Sequence, residues 1–419
     1  MNHRWSKTII TDRQPGAGWG DLEAIIKCAE DMDKGKGLKV IEEVLMELNQ
    51  WGLHGRFDTV IIVGWLFAQI VQSVWDWRPH LRVTGPQGSG KTLLTLFFEK
   101  IGGGLARRYE GAGSSEAGIR QDIGNNAVLS LIDECESGNH RKNLEERLFR
   151  SASRGGMISK GTSSHENITY RIFHMFLIIA IELGMRRAPD YYRSLIVETV
   201  KDPTRAPKLP DPERLEDLRV RVFGYCLWAS LKSKALIKHV KPVAGVDPRF
   251  VQSLAVPLSM LAVCDDNPVA ELNRLVGEYL AEWKNIQQGD FLEDEVKLLE
   301  TLMLATIRLP ILKGDATTDV ERIVYDNRTV AQVIEQARIN EEVHESLQAN
   351  GMKCRPDGIV IHPDKARHSL LSQTDWAQLS LREILLRLPG ATPIRDRIAG
   401  AQVRGVFLPN QSLTNYLGE

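Results

Sequence analysis

The octet Gly85-Pro86-Gln87-Gly88-Ser89-Gly90-Lys91-Thr92 decides the fold. It fits G-x-x-x-x-G-K-[ST] at every fixed position. A short apolar run, Leu81 to Val83, precedes it, and a helical pattern from Lys91 to about Ile101 follows. Strand, glycine loop and helix in that order are the setting a phosphate loop needs. The glycines let the chain curl so that backbone N–H groups point inward. Lys91 reaches the β- and γ-phosphates as a point charge, and Thr92 offers its hydroxyl to Mg²⁺. The start of the helix adds the positive end of its dipole. All eight residues are thus implicated in holding ATP, with Thr92 also a metal ligand.

Downstream, the apolar run 127–132 (AVLSLI) ends in Asp133-Glu134. A second run, 176–181 (FLIIAI), ends in Glu182, and a third spans Ser194 to Val200. Continuous short apolar runs between helical patterns indicate a parallel sheet covered on both faces. Residues 84–200 therefore read as an α/β nucleotide-binding core. Asp133, at the carboxyl end of its strand, can hold Mg²⁺ directly or through water. Glu134 can orient and polarise an attacking water, which argues for hydrolysis over mere nucleotide storage.

Composition narrows the class. The chain has 419 residues, 53 Lys plus Arg against 54 Asp plus Glu, and a net charge of −1. That excludes a generally basic nucleic-acid coat and an acidic disordered tail, though not a local basic surface. Five scattered cysteines without a CxxC pair fit a reducing cytosol better than a zinc cluster or disulfide framework. The N-terminus carries no secretory pattern. The apolar segment Val60 to Val74 is interrupted by Gln69 and Gln72 and is too short for the ~20 residues that span a bilayer. It reads as a buried helix from Thr59 to Trp75 capped by Asp58. A cytoplasmic protein with no membrane partner is expected.

Four segments are expected: a helical N-terminal stretch (1–56), a P-loop ATPase core (57–205), a helical lid (206–288) after the Pro-rich boundary, and a winged-helix-like α+β module (289–419). In the last, helices are expected over Leu298 to Ile307, Thr329 to Leu347 and Leu379 to Arg387, with strands over Ile359 to Ile361 and Val403 to Leu408. Arg382, Arg387, Arg395, Arg397 and Arg404 give this module a local basic excess. In the core, Met157 to Lys160 and Asn167 to Phe173 flank a polar turn and read as a hairpin.

The run Trp77-Arg78-Pro79-His80, the GPQGSGKT loop, Ser115-Glu116-Ala117-Gly118-Ile119-Arg120-Gln121 and LIDECE together resemble the AAA+ ATPase module of phage and mobile-element primase-helicases, which are related to superfamily 3 and poxvirus-type helicases. Arg150-Ser151-Ala152-Ser153, Lys160-Gly161-Thr162, Leu388-Pro389-Gly390-Ala391 and Arg404 to Pro409 extend the resemblance over roughly residues 55–410. No primase signature stands ahead of the loop, so the chain is expected to be the ATPase part alone.

The resemblance implies an AAA+-like core with a lid, and roles for further residues. Glu182 stands where a polar residue positions the attacking water, although Asn or Thr is more usual there; a structural role is the rival. An arginine from a neighbouring subunit reaches the γ-phosphate in such rings, and Arg193 fits best among Arg186, Arg187 and Arg193. Arg249 matches the lid arginine that senses nucleotide. The hairpin implies DNA-backbone contacts by Lys160, His165 and Arg171. The implied protein is an ATP- and Mg²⁺-dependent motor in a homo-oligomeric, hexameric ring on single-stranded DNA, a helicase in phage or mobile-element replication with a separate primase or effector as partner. The alternatives are a non-helicase AAA+ scaffold or regulator, for example in antiviral defence, and a signalling ATPase that only switches.

Overall fold

The computed structural model describes residues 22–416 apart from 112, 136–143, 162–166, 182–187, 287–293 and 315–320. The chain divides into two compact units, Met1–Gln288 and Gly289–Glu419.

The first unit contains β1 (His80–Thr84), β2 (Ala106–Glu110), β3 (Leu129–Asp133), β4 (Met157–Gly161), β5 (Asn167–Arg171), β6 (Phe176–Ile179) and β7 (Ser194–Glu198). Five of them pair in parallel in the spatial order β2-β3-β6-β1-β7. Alternation splits the apolar runs between two cores, because successive strand side chains point to opposite faces. Leu131, Leu177 and Ile179 enter one cluster, and Ile132, Phe176 and Ile178 the other. Burial on both faces is why these strands read as unbroken apolar runs. The expected hairpin is present: β4 pairs antiparallel with β5, with Lys160 opposite Ile168.

The first unit's α-helices of eight or more residues are α1 (Leu22–Glu30), α2 (Lys34–Leu48), α3 (Asp58–Ile70), α4 (Lys91–Gly102), α5 (Glu116–Ile123), α6 (Pro212–Ile237), α7 (Pro248–Ala262) and α8 (Pro268–Ile286). α1 lies along α6, and α3 packs on α7. Val44 and Leu48 of α2, Leu218 and Val222 of α6, and Leu254 and Leu258 of α7 share one continuous cluster with Leu81, Val83 and Leu195 of the sheet. The described parts of segments 1–56, 57–205 and 206–288, read from the sequence as three pieces, all contribute to this common core. α6–α8 share that core: their apolar stripes are spent on the sheet and on α1–α3.

Asp58 does not cap α3 as expected. It is the first helical residue, and its carboxylate accepts the Gly55 N–H at 2.9 Å. α3 ends at Ile70, and a 3₁₀ turn, Gln72–Val74, replaces its expected last turn. The two glutamines that interrupt the apolar run are fully buried and satisfy strand-end backbone. Gln69 Nε2 donates to Met175 O (2.8 Å). Gln72 donates to Val128 O (2.8 Å) and accepts from Met175 N (2.7 Å).

Buried titratable groups tie this unit to pH. His80 Nδ1 accepts the Phe176 N–H at 3.2 Å and Nε2 lies 2.9 Å from Phe149 O, an arrangement that fits the neutral ring. Burial lowers its pKa to about 3, and burial lowers that of His174 to about 4. Burial raises the Asp58 carboxyl to about 7. Between pH 4 and 6.5 the unfolded chain binds two histidine protons that the fold refuses, so stability falls as pH falls. The fold keeps one proton on Asp58 that the unfolded chain releases, so this group acts in the opposite direction. The net is one proton, or about 1.4 kcal/mol per pH unit. The urea midpoint is therefore expected to rise from pH 4 to 6.5, and Asp58→Asn should make the rise steeper. A flat or falling profile in the variant would contradict this assignment.

The second unit has a four-stranded antiparallel sheet in the order β10-β11-β13-β12, built from β10 (Met352–Arg355), β11 (Gly358–Ile361), β12 (Thr392–Ile398) and β13 (Ala401–Pro409). A separate hairpin pairs β8 (Thr306–Gly314) with β9 (Glu321–Thr329). The expected strands 359–361 and 403–408 both lie in the larger sheet. The expected helix 298–307 is Asp294–Leu304, its end yielding to β8. The expected helix 329–347 is two, Val330–Ala337 and Glu341–Ala349, because Asn340 caps the second and its side chain accepts from Glu342 N and Val343 N. Thr329 and Gln332 form a capping box at the first. The sheet is larger than a winged-helix reading anticipates.

Candidate functional site

Parallel pairing brings the carboxyl ends of β1, β3, β6 and β7 to one sheet edge, where α/β proteins bind ligands. The octet leaves β1 there and runs into α4. Gly85, Gly88 and Gly90 have φ of 140°, 80° and 88°, the left-handed region that favours glycine. Lys91 Nζ donates to Gly85 O (2.6 Å) and Pro86 O (2.8 Å), so the ammonium lies folded over the loop. Ser89 Oγ lies 2.7 Å from Thr199 Oγ1, which donates to Thr84 O at 3.0 Å. The end of β7 thereby clasps the loop. Thr92 is exposed in the first turn of α4.

Two residues here escaped sequence reading. Trp51 is buried, its indole N–H donates to Gly90 O at 3.0 Å, and Arg205 Nη1 holds its carbonyl at 2.7 Å. A Cβ at Gly88 would lie 3.9 Å from Lys201 Nζ, so a second ammonium stands beside the loop tip. Neither carries a local motif; both depend on what β7 and α2 bring to the edge.

Asp133 ends β3 at the same edge and is buried. One of its oxygens accepts the Glu134 N–H at 3.1 Å; the other accepts from Arg108 Nη2 at 2.7 Å. Arg108 lies on β2, within 4.0 Å of Glu99 on α4. Sequence reading missed it, because β2 has no motif. Glu134 is exposed at φ 53°, one of two positive-φ residues other than glycine among the described residues. Such strain costs about 1–3 kcal/mol and concentrates at functional sites. The hydroxyl of Thr92 and the carboxylate of Asp133 are hard oxygen donors of the kind Mg²⁺ takes, and the glycine cradle fits a polyphosphate.

The remaining candidates lie elsewhere. Arg193 immediately precedes β7, at the amino edge, where His80 N donates to its carbonyl at 2.8 Å. The five-residue strand separates it from Gly85 by roughly 16 Å. Its guanidinium lies 5.7 Å from the Trp77 ring centroid, and burial lowers its pKa. Arg249 opens α7 and lies within the electrostatic reach of Arg193, as do Arg150 and Arg154. Ser253 of α7 donates to Tyr192 O at 2.7 Å, which fixes that end of α7 to the amino edge. Neither Arg193 nor Arg249 is brought to the glycine octet of its own chain. The β4–β5 hairpin carries Lys160 on β4, one pair from the turn, and exposed Arg171 at the base of β5, with its N–H on Asn125 Oδ1 at 2.8 Å. His165, Glu182, Arg186 and Arg187 lie outside the described residues.

All five cysteines are free, and no helix among the described residues is long and apolar enough to cross a membrane. No protein-family model matches the chain, and no curated protein sequence does. Two solved apo structures of the NrS-1 C-terminal region align with it at 13% and 14% identity, each over 88% of this chain and 75% of the other, with a TM-score of 0.33. The functional reading therefore rests on the residues of the site.

Proposed function

We propose that the chain is an ATP-hydrolysing, Mg²⁺-dependent AAA+-like motor that assembles from several copies and acts on DNA, as a helicase of a phage or mobile element. The observation that carries this reading is the shared carboxyl edge, where a complete phosphate loop meets Asp133-Glu134 while Arg193 stands at the opposite edge. Lys91 exchanges the carbonyls of Gly85 and Pro86 for phosphate oxygens. The loop N–H groups hold the phosphates, and Trp51 and Thr199 hold the loop. Thr92 and Asp133 would hold Mg²⁺, which neutralises phosphate charge when bound. Glu134, exposed beside them, accepts a proton from the water that attacks the γ-phosphate. Because Arg193 is remote from its own loop, it serves the loop of a neighbouring copy in a ring, hexameric by family resemblance. The β4–β5 hairpin grips the strand through Lys160, His165 and Arg171.

Glu134→Gln tests the chemistry. It should bind ATP within a few-fold of wild type while turnover falls about 10²–10⁴-fold, the span of a lost general base. Turnover at the wild-type rate would remove Glu134 from the mechanism. Light scattering with ATP and single-stranded DNA tests assembly: a persistent monomer would overturn the trans role of Arg193, and an ATPase rate indifferent to DNA would favour a scaffold.

A further inference from the structure

The β12–β13 hairpin belongs to the second unit, which supplies no residue of the nucleotide reading, and β12 is the edge strand of its sheet. Ala399 and Gly400, at φ 50° and 77°, make the tight turn that matches the ribbon's twist. Arg395 pairs directly with Arg404, and Arg397 with Gln402. Directly opposed residues share a face, as do residues two apart on a strand. Arg395, Arg397 and Arg404 therefore stand together on one face, and all three are exposed.

The ribbon's other face is occupied differently. Ile394, Ile398, Val403 and Phe407 pack there with Val360. Asp396, the only acidic residue between positions 392 and 409, points to that side, where Lys353 (3.0 Å) and Arg355 (3.2 Å) take its carboxylate. Among the described residues, none of the three arginines has an ion pair. Like charges directly opposed across a sheet destabilise it, so the fold gains nothing from Arg395 facing Arg404. The ribbon is nevertheless well held: Lys353 Nζ donates to Arg397 O at 3.1 Å, and Ala399 N donates to Gln348 Oε1 at 2.7 Å.

We propose that this three-arginine face binds the phosphodiester backbone of a nucleic acid. A guanidinium fork suits phosphate oxygens bidentately. A two-stranded ribbon also fits a major groove about 12 Å wide. Duplex DNA offers one negative charge per ~1.7 Å, dense enough to engage all three arginines at once. The proposal does not rest on nucleotide hydrolysis and can fail or stand without it.

The test uses the full chain without nucleotide and a fluorescein-labelled short duplex or single strand, titrated over a range of salt. The triple variant R395Q/R397Q/R404Q should bind at least one of these about tenfold or more weakly. Its log affinity–log salt slope should flatten by about 2–3, the loss expected for three phosphate contacts. The triple Arg→Lys variant should keep the slope, since phosphate contact needs charge. R404Q alone should melt at or above the wild-type temperature, because it relieves the Arg395–Arg404 opposition; this shows that weakened binding is not unfolding. Unchanged affinity and slope in the glutamine variant would overturn the proposal, as would a wild-type chain that binds neither probe. Polyglutamate provides the last arm: if it displaces the probe only through these arginines and binds as tightly as DNA, the face is a general acidic-polymer site and the phosphodiester assignment fails.

Discussion

Lys91→Ala is expected to weaken ATP binding about 10²–10⁴-fold and to remove hydrolysis with it. The estimate follows from two charge-assisted contacts to phosphate, each worth about 1.5–3 kcal/mol. Lys91 Nζ now lies on the carbonyls of Gly85 and Pro86. The Pro86 contact is exposed and the Gly85 contact half-buried, so removing the ammonium opens the Pro86 carbonyl to water and leaves the rest of the loop's bonds in place. The fold should therefore survive, with a melting temperature within a few degrees of wild type. A Lys91→Arg control keeps the charge but not the compact ammonium, and should recover binding only in part. Calorimetric titration with ATP and ADP decides the matter. Wild-type affinity in Lys91→Ala, in a folded protein, would end the nucleotide reading altogether.

What the sequence disclosed was local. The octet, the strand ending in Asp133 and the hairpin strands around Gly161 each carry their grammar within a few residues, and each lies where its pattern places it. What it hid was long-range. Gln69 and Gln72 look like interruptions of an apolar helix until the ends of β3 and β6 arrive to use them. Trp51 looks like a core aromatic until Gly90 O, 39 positions away, meets its N–H. Arg108 sits in a strand, ARRYE, with no apolar run, and only parallel pairing with β3 brings it to Asp133. The same holds for domain limits. Pro203 to Pro212 marks a break in the chain's grammar, but the apolar stripes on both sides of it feed one core. The edge to which Arg193 and Arg249 belong follows from strand direction, which no spacing rule reveals.

Gly85→Ala separates shape from charge at the same loop. A Cβ on Gly85 would stand 2.2 Å from Thr199 O and 2.4 Å from Thr199 Oγ1, and the φ of 140° suits no L side chain. The backbone term costs about 1–3 kcal/mol, and the overlap adds about 1–3 kcal/mol. Thr199 cannot simply move aside: it is tied to Thr84 O and Ser89 Oγ, and its N–H donates to Thr84 O at 2.8 Å. Relief must come from the loop, which loses the inward set of its N–H groups. The variant is expected to unfold at lower urea by an amount worth about 2–6 kcal/mol and to lose measurable ATP binding while Lys91 is intact. Gly277 supplies the contrast, since a Cβ there meets nothing within 4 Å and its helix is exposed at that point. Gly277→Ala should be neutral or gain up to about 1 kcal/mol, with ATP affinity unchanged. If Gly85→Ala binds ATP as wild type does, the clasp between Thr199 and the loop is not what shapes the site. If it fails alongside Lys91→Ala, the site needs both the cation and the cradle, as a phosphate loop at a sheet's carboxyl edge must.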